Sequence, residues 1–192
     1  MDWLNLLDIF RRRGKDDTEI SSITKLPPWL KVGCYAEYSV NDKKHKYPTT
    51  LVFEILKAFD RKGKVKVKIG GKALGSQYTY TIDPDTLLAS HAIIPFWIRT
   101  SEIKKGDEVL MAKPIDKPGS HGTVLGSEAI DTSRYGLREC WKIKLIRRNS
   151  KGTYWYDKET GLLISNILEE SSDRDKDKIL KIYGIISETN IL

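Results

Sequence analysis

The sequence predicts a mostly β protein: an antiparallel curved half-barrel or barrel-like sandwich, with an N-terminal amphipathic helix and a short helix or lid segment. Three observations carry this. Short apolar segments alternate with polar residues at period two. Glycine- and aspartate-rich turns separate them closely. No stretch between residues 30 and 192 holds a sustained helical period except one brief candidate. A string of short strands with tight turns is the pattern of sandwiches and barrels.

The chain has 192 residues, 40% of them hydrophobic, with five Trp, enough for one well-buried domain. Residues 1–14 read as an amphipathic helix: Trp3, Leu6, Leu7 and Phe10 recur at helical spacing, and Arg11, Arg12 and Arg13 follow before Gly14. Residues 15–29 are polar and read as a linker, closed by Pro27-Pro28. Residues 30–192 form the single β domain.

Within it, Lys31–Val40 opens on a Gly turn and alternates, and Thr49–Phe59 is a longer strand ended by Asp60-Arg61-Lys62-Gly63. The next strand places Val65, Val67 and Ile69 inward and Lys64, Lys66 and Lys68 outward. Tyr78, Tyr80 and Ile82 alternate after Gly70-Gly71. Asp83-Pro84-Asp85 can cap a short helix through Ser90, and Leu87 to Ile98, with Phe96 and Trp97, forms an apolar lid. Strands are expected at Val109–Ala112, Thr123–Ile130 and Arg138–Arg148, the last with Trp141, Ile143 and Leu145 on one face and Cys140, Lys142 and Lys144 on the other. Tyr154, Trp155 and Tyr156 lead into the turn Asp157–Gly161, where Asp caps turn amides and Gly161 takes positive φ. Leu162–Leu168 and Ile179–Ile186 complete the set. Consecutive residues of a strand point to opposite sides, so the three aromatics require both faces of this arm to be covered.

The chemistry-bearing residues give no catalytic or metal motif. His45, His91 and His121 sit apart, and none has a metal-ligand partner at ligand spacing. Gly119-Ser120-His121-Gly122 lacks a nucleophile elbow, and Gly70-Gly71-Lys72 lacks the phosphate-loop spacing. No cofactor is called for. Cys34 and Cys140 make no CxxC pair and read as reduced, buried thiols, with a single bridge between them as the alternative.

The functional reading is a non-enzymatic binding or scaffold protein with an apolar concave surface for a hydrophobic ligand, a lipid or a partner segment. Phe96, Trp97, Trp141, Tyr154, Trp155 and Tyr156 are its candidate lining, or plain core. The alternative is a nucleic-acid-binding β protein, suggested by the formal charge of +7. There Lys64, Lys66, Lys68, Lys142 and Lys144, with Arg147 and Arg148 nearby, would form a cationic stripe if their strands were neighbours. The aromatics are expected on the face opposite these lysines, which disfavours base stacking. The N-terminal segment packs on its own domain, on a protein partner or on a membrane surface, with the three arginines at anionic headgroups. Without an apolar run of about 20 residues or a secretory leader, the chain is expected in the cytoplasm, with peripheral membrane contact through residues 1–13.

Two segments also carry a resemblance. Val32-Gly33-Cys34-Tyr35-Ala36-Glu37-Tyr38 and Trp155-Tyr156-Asp157-Lys158-Glu159-Thr160-Gly161-Leu162-Leu163 resemble uncharacterised prokaryotic, largely archaeal, β-rich proteins. The Tyr-Asp-x-x-Thr-Gly-Leu hairpin is also similar to that of lipoprotein-carrier half-barrels of the LolA type. That resemblance implies a strongly curved antiparallel sheet around an apolar cavity, and it carries no functional residue over.

Overall fold

A computed structural model describes residues 27, 29–42, 47–57, 65–83, 88–89, 96–99, 102–114, 119–147, 150–171 and 179–192. The N-terminal segment with Trp3, Leu6, Leu7, Phe10 and Arg11–Arg13, as well as Lys64, Leu87, Ile93, Ile94 and Arg148, lies outside the described residues.

The described chain is strand throughout, with no helix. In order, the strands are β1 (Tyr35–Asp42), β2 (Thr49–Lys57), β3 (Val65–Gly70), β4 (Tyr78–Ile82), β5 (Leu88–Ala89), β6 (Glu108–Pro114), β7 (Ser120–Asp131), β8 (Leu137–Arg147), β9 (Ser150–Asp157), β10 (Leu163–Ser171) and β11 (Ile179–Thr189). Ten of them make one antiparallel sheet, running β4-β3-β2-β1-β11-β10-β9-β8-β7-β6. Among these ten strands the sheet is open between β4 and β6. Among the described residues, only the two-residue β5 bridges the gap, through Ile82–Ala89 on one side and a parallel pairing of Leu88–Ala89 with Lys113–Pro114 on the other.

The short helix expected through Ser90 is therefore corrected at Leu88–Ala89, which are extended. The Asp-Pro-Asp capping pattern is a local preference, and pairing with two sheet edges outweighs it over two residues.

Curvature comes from register shifts at Glu37/Tyr38, Ile55/Lys57, Leu110/Ala112, Val124/Gly126 and Leu163/Ser165. Each such bulge adds local twist and bends its strand. The concave side carries the core: Tyr38 and Val40 from β1, Phe53 and Ile55 from β2, Val67 and Ile69 from β3, Ile143 and Leu145 from β8, Tyr154 and Tyr156 from β9, and Ile182 and Ile186 from β11. The expected alternation in β3 is present, with Val65, Val67 and Ile69 buried and Lys66 exposed. Burying side chains of this size is worth roughly 1.5–3 kcal/mol each, so these inner rows dominate the stability of the sheet.

Glycines mark where the interior is tightest. A Cβ on Gly122 would meet Met111 and Ile143, and one on Gly152 would meet the ring of Tyr154. Small residues thus make room for large neighbours on the same face.

Candidate functional site

The hairpin β9–β10 organises one end of the sheet. Asp157, 1% exposed, accepts from the backbone N–H of Thr160 (2.8 Å) and from its hydroxyl (2.7 Å), and the Gly161 N–H donates to the Asp157 carbonyl (2.8 Å). Gly161 closes the turn at φ 73°, the left-handed region in which a Cβ is costly. Arg138 on β8 donates to the same Asp157 carboxylate from Nε (2.9 Å), and its Nη2 lies 2.9 Å from the same oxygen in an ion pair, so the carboxylate is paired as well as buried.

Along the outer side of this tip runs a short extended segment. The Leu163 N–H donates to the Phe96 carbonyl (2.8 Å), and the Ile98 N–H donates to that of Gly161 (3.0 Å). Trp97 is bridged to Leu162. That pairing brings Phe96 and Trp97 into an aromatic cluster with Phe53, Tyr38 and Trp29. Phe53 stacks on Phe96 with centroids 4.7 Å apart, Tyr38 lies 5.7 Å from Phe96, and Trp29 meets Trp97 edge-on at 6.0 Å. Offset and edge-on pairs of this kind are favourable beyond the area they bury.

Polar atoms in the cluster are mostly matched. The Trp29 indole donates to the Thr160 carbonyl (2.7 Å), and the Tyr38 hydroxyl donates to that of Leu163 (3.0 Å). The Trp97 indole nitrogen is buried and has no hydrogen-bond acceptor among the described residues. Burial pushes the phenols of Tyr38, Tyr156 and Tyr80 upward, so each stays a neutral hydroxyl at physiological pH.

The six candidate lining residues separate into three places. Phe96, Trp97, Tyr154 and Tyr156 are buried in the interior, and the rings of Tyr154 and Tyr156 stack at 6.3 Å. Trp141 pairs with Tyr156 on the same face but is half-buried, with the Lys158 ammonium 4.6 Å from its ring centroid. Trp155 lies on the opposite, outer face beside Lys142. Its indole donates to Glu128 Oε2 (3.0 Å), Lys142 pairs with the same oxygen (2.8 Å), and the Lys142 ammonium sits 5.3 Å from the indole centroid. The second face of the aromatic arm is covered at this point by an ion pair.

The lysine stripe does not assemble. In sheet order β3 and β8 are separated by β4, β5, β6 and β7. Lys68 is paired with Glu54, and Lys142 with Glu128. The expectation that the aromatics avoid the lysine face is also corrected, since Trp155 shares that face with Lys142. Arg147, grouped by sequence with the outer basic residues, shares the inner face with Ile143 and Leu145, and its Nε is buried. Strict alternation from Leu145 was the signal for it. Tyr38, Phe53 and Trp29 were missed as neighbours of Trp97, because they come from distant segments and no local pattern joins them.

Cys34 and Cys140 are both free, half-buried and buried respectively. Among the described residues no three His, Cys, Asp or Glu side chains gather as a metal-holding group, and no helix is long and apolar enough to cross a membrane.

The fold has solved counterparts. It is similar to that of a candidate lipoprotein of Parabacteroides distasonis, at a TM-score of 0.50 and 12% identity, covering 88% of this chain and 100% of that one. A candidate exported protein of Bacteroides fragilis with a YmcC-like fold aligns at a TM-score of 0.46 and 11% identity, over 87% of this chain and 99% of that one. No protein-family model and no curated protein matches the sequence, so the resemblance to archaeal proteins has no counterpart there. The expected cytoplasmic location is corrected to this extent: the solved protein of similar fold is named as a lipoprotein, and not as a cytoplasmic protein.

Proposed function

We propose that this chain is a non-enzymatic binding protein of the cell envelope or exterior, whose aromatic interior takes a hydrophobic ligand. The observation that carries the reading is the Trp97 indole N–H, buried among Trp29, Phe53 and Phe96 without an acceptor among the described residues. A buried donor left unsatisfied costs about 1–3 kcal/mol, and an oxygen on a mostly apolar ligand would recover that cost. Apolar walls with a few convergent polar groups are the usual makeup of such a site. The gap between β4 and β6, spanned among the described residues by Leu88 and Ala89, is the natural way in, since it requires the fewest described ladder bonds to part. The solved protein of similar fold that is named as a lipoprotein supports the location.

Native mass spectrometry of the full chain tests the reading. The expected result is a bound small molecule that is removed by organic extraction. A bare chain mass, together with tryptophan fluorescence unchanged on titration with dodecanoate, would overturn it.

A further inference from the structure

One corner of the sheet sets exposed aliphatic side chains beside unmatched cations. Lys31–Cys34 is a hydrogen-bonded turn: the Cys34 N–H donates to the Lys31 carbonyl (3.1 Å), and Gly33 holds the third place at φ 83°. Val32 therefore sits at the corner of the turn, where it is 64% exposed. The Gly33 N–H donates to the Ile55 carbonyl (2.9 Å), and the Ile55 N–H donates to that of Cys34 (2.8 Å), which pins the turn beside the end of β2. There the bulge at Ile55/Lys57 leaves Leu56 without a ladder partner and 36% exposed.

The next residue of β2, Lys57, lies directly across from Lys66 of β3. Both are exposed, as is Lys31 in the turn. Like charges directly opposite on neighbouring strands repel at a cost to the sheet. None of the three has a carboxylate partner among the described residues, whereas Lys68, further along β3, is matched with Glu54. An anion arriving from outside would relieve that repulsion. The side chains beside the cations are aliphatic and not aromatic, which suits the boundary of a lipid layer better than the stacking of bases.

We propose that this corner docks the protein on an anionic lipid surface, with Val32 and Leu56 entering the headgroup boundary and Lys31, Lys57 and Lys66 on lipid phosphates. The contact uses outward-facing side chains and does not depend on a ligand within. Vesicle flotation of the full chain tests it, comparing phosphatidylcholine alone with a mixture of phosphatidylcholine and phosphatidylglycerol. The protein is expected to float with the mixed vesicles and not with the neutral ones, and to be released as salt is raised. Lys57→Gln combined with Lys66→Gln is expected to weaken binding to the mixed vesicles about tenfold or more. Leu56→Ser is expected to weaken it about threefold or more while leaving the salt dependence in place. Absence of flotation with the mixed vesicles overturns the proposal, and so does equal flotation with both kinds. Binding unchanged in the paired lysine variant and in Leu56→Ser places the contact elsewhere on the chain and overturns this surface. Binding of a mixed-sequence oligonucleotide that is lost with the two lysines, without flotation, would assign the corner to nucleic acid instead. If the paired variant does not fold, Lys66→Gln alone removes the facing charge and is expected to weaken flotation about threefold or more. Flotation unchanged in that variant overturns the docking surface.

Discussion

Tyr135 and Thr189, 54 residues apart, exchange two hydrogen bonds: the phenol donates to the Thr189 carbonyl (3.0 Å) and accepts from the Thr189 N–H (2.7 Å). Tyr135 sits in the turn between β7 and β8, and Thr189 ends β11, so the turn reaches past the ends of β8, β9 and β10. Tyr135→Phe keeps the ring and removes both bonds, leaving a largely buried peptide group unpaired. The expected cost is about 1–3 kcal/mol, read as a lower urea midpoint with an unchanged m-value. An unchanged midpoint would show that the turn does not hold the end of the sheet.

Asp157 gathers three donated hydrogen bonds on a buried carboxylate, one of them from Arg138 Nε, and its ion pair with Arg138 adds the Nη2 contact. Removing one member of a buried, hydrogen-bonded ion pair strands the other. Asp157→Ala is therefore expected to cost about 3–5 kcal/mol, and Arg138→Met combined with it to cost far less than the two summed. Additive losses in a double-mutant cycle would mean that Asp157 acts through the turn alone.

Cys140 is buried and beside Asp157. Burial, and then the negative charge of Asp157, pushes its thiol up to about 12. The thiolate is the reactive form, so Cys140 is expected to be inert to thiol reagents at pH 8 in the folded protein. Ellman titration should give at most one equivalent, from the half-buried Cys34, with the second appearing only in denaturant. Two equivalents from the native protein would contradict the enclosure of this end.

Much of the sheet was legible because alternation is local. Val65–Ile69 and Trp141–Leu145 each declare their inner face within five residues, and Asp157–Gly161 declares its own turn. The face of Arg147 was equally legible from Leu145, but a basic pair at the end of a strand reads as surface. Strand order was not legible: nothing local in Lys66 or Lys142 says that four strands lie between them. The cover over Trp155 was hidden for a related reason. Glu128 is brought to it from β7 by a register that the bulge at Val124/Gly126 shifts. A two-residue strand such as β5 has no periodicity to read and is defined by its partners.

Glu128 also gives a pH dependence. Its carboxyl is held below the usual range, chiefly by the hydrogen bond from Lys142 and then by that from the Trp155 indole. A carboxylate with a depressed folded pKa contributes stability that is present above its unfolded pKa and is lost as pH falls through the folded value. The group is largely exposed, so the contribution at neutral pH is under about 1 kcal/mol and is screened by salt. Glu128→Gln should therefore be slightly less stable than the native chain at pH 7 and equal to it once the pH lies below the carboxylate range. A gap that persists in acid would assign the effect to something other than this charge.

The inner face of β9 offers a sharper test of packing. The ring of Tyr154 lies over Gly152, where a Cβ would collide with Cε2 and sit 2.7 Å from the phenol oxygen. Tyr154 is itself buried, so the ring cannot swing away into solvent. Gly152→Ala is expected to cost about 1–3 kcal/mol through overpacking, despite the better strand propensity of alanine. In a Tyr154→Ala background the obstacle is gone, and the same glycine substitution should cost close to nothing. Chemical denaturation of the four proteins in this cycle measures the coupling directly. If Gly152→Ala costs the same in both backgrounds, the glycine is there for its backbone and not for the tyrosine.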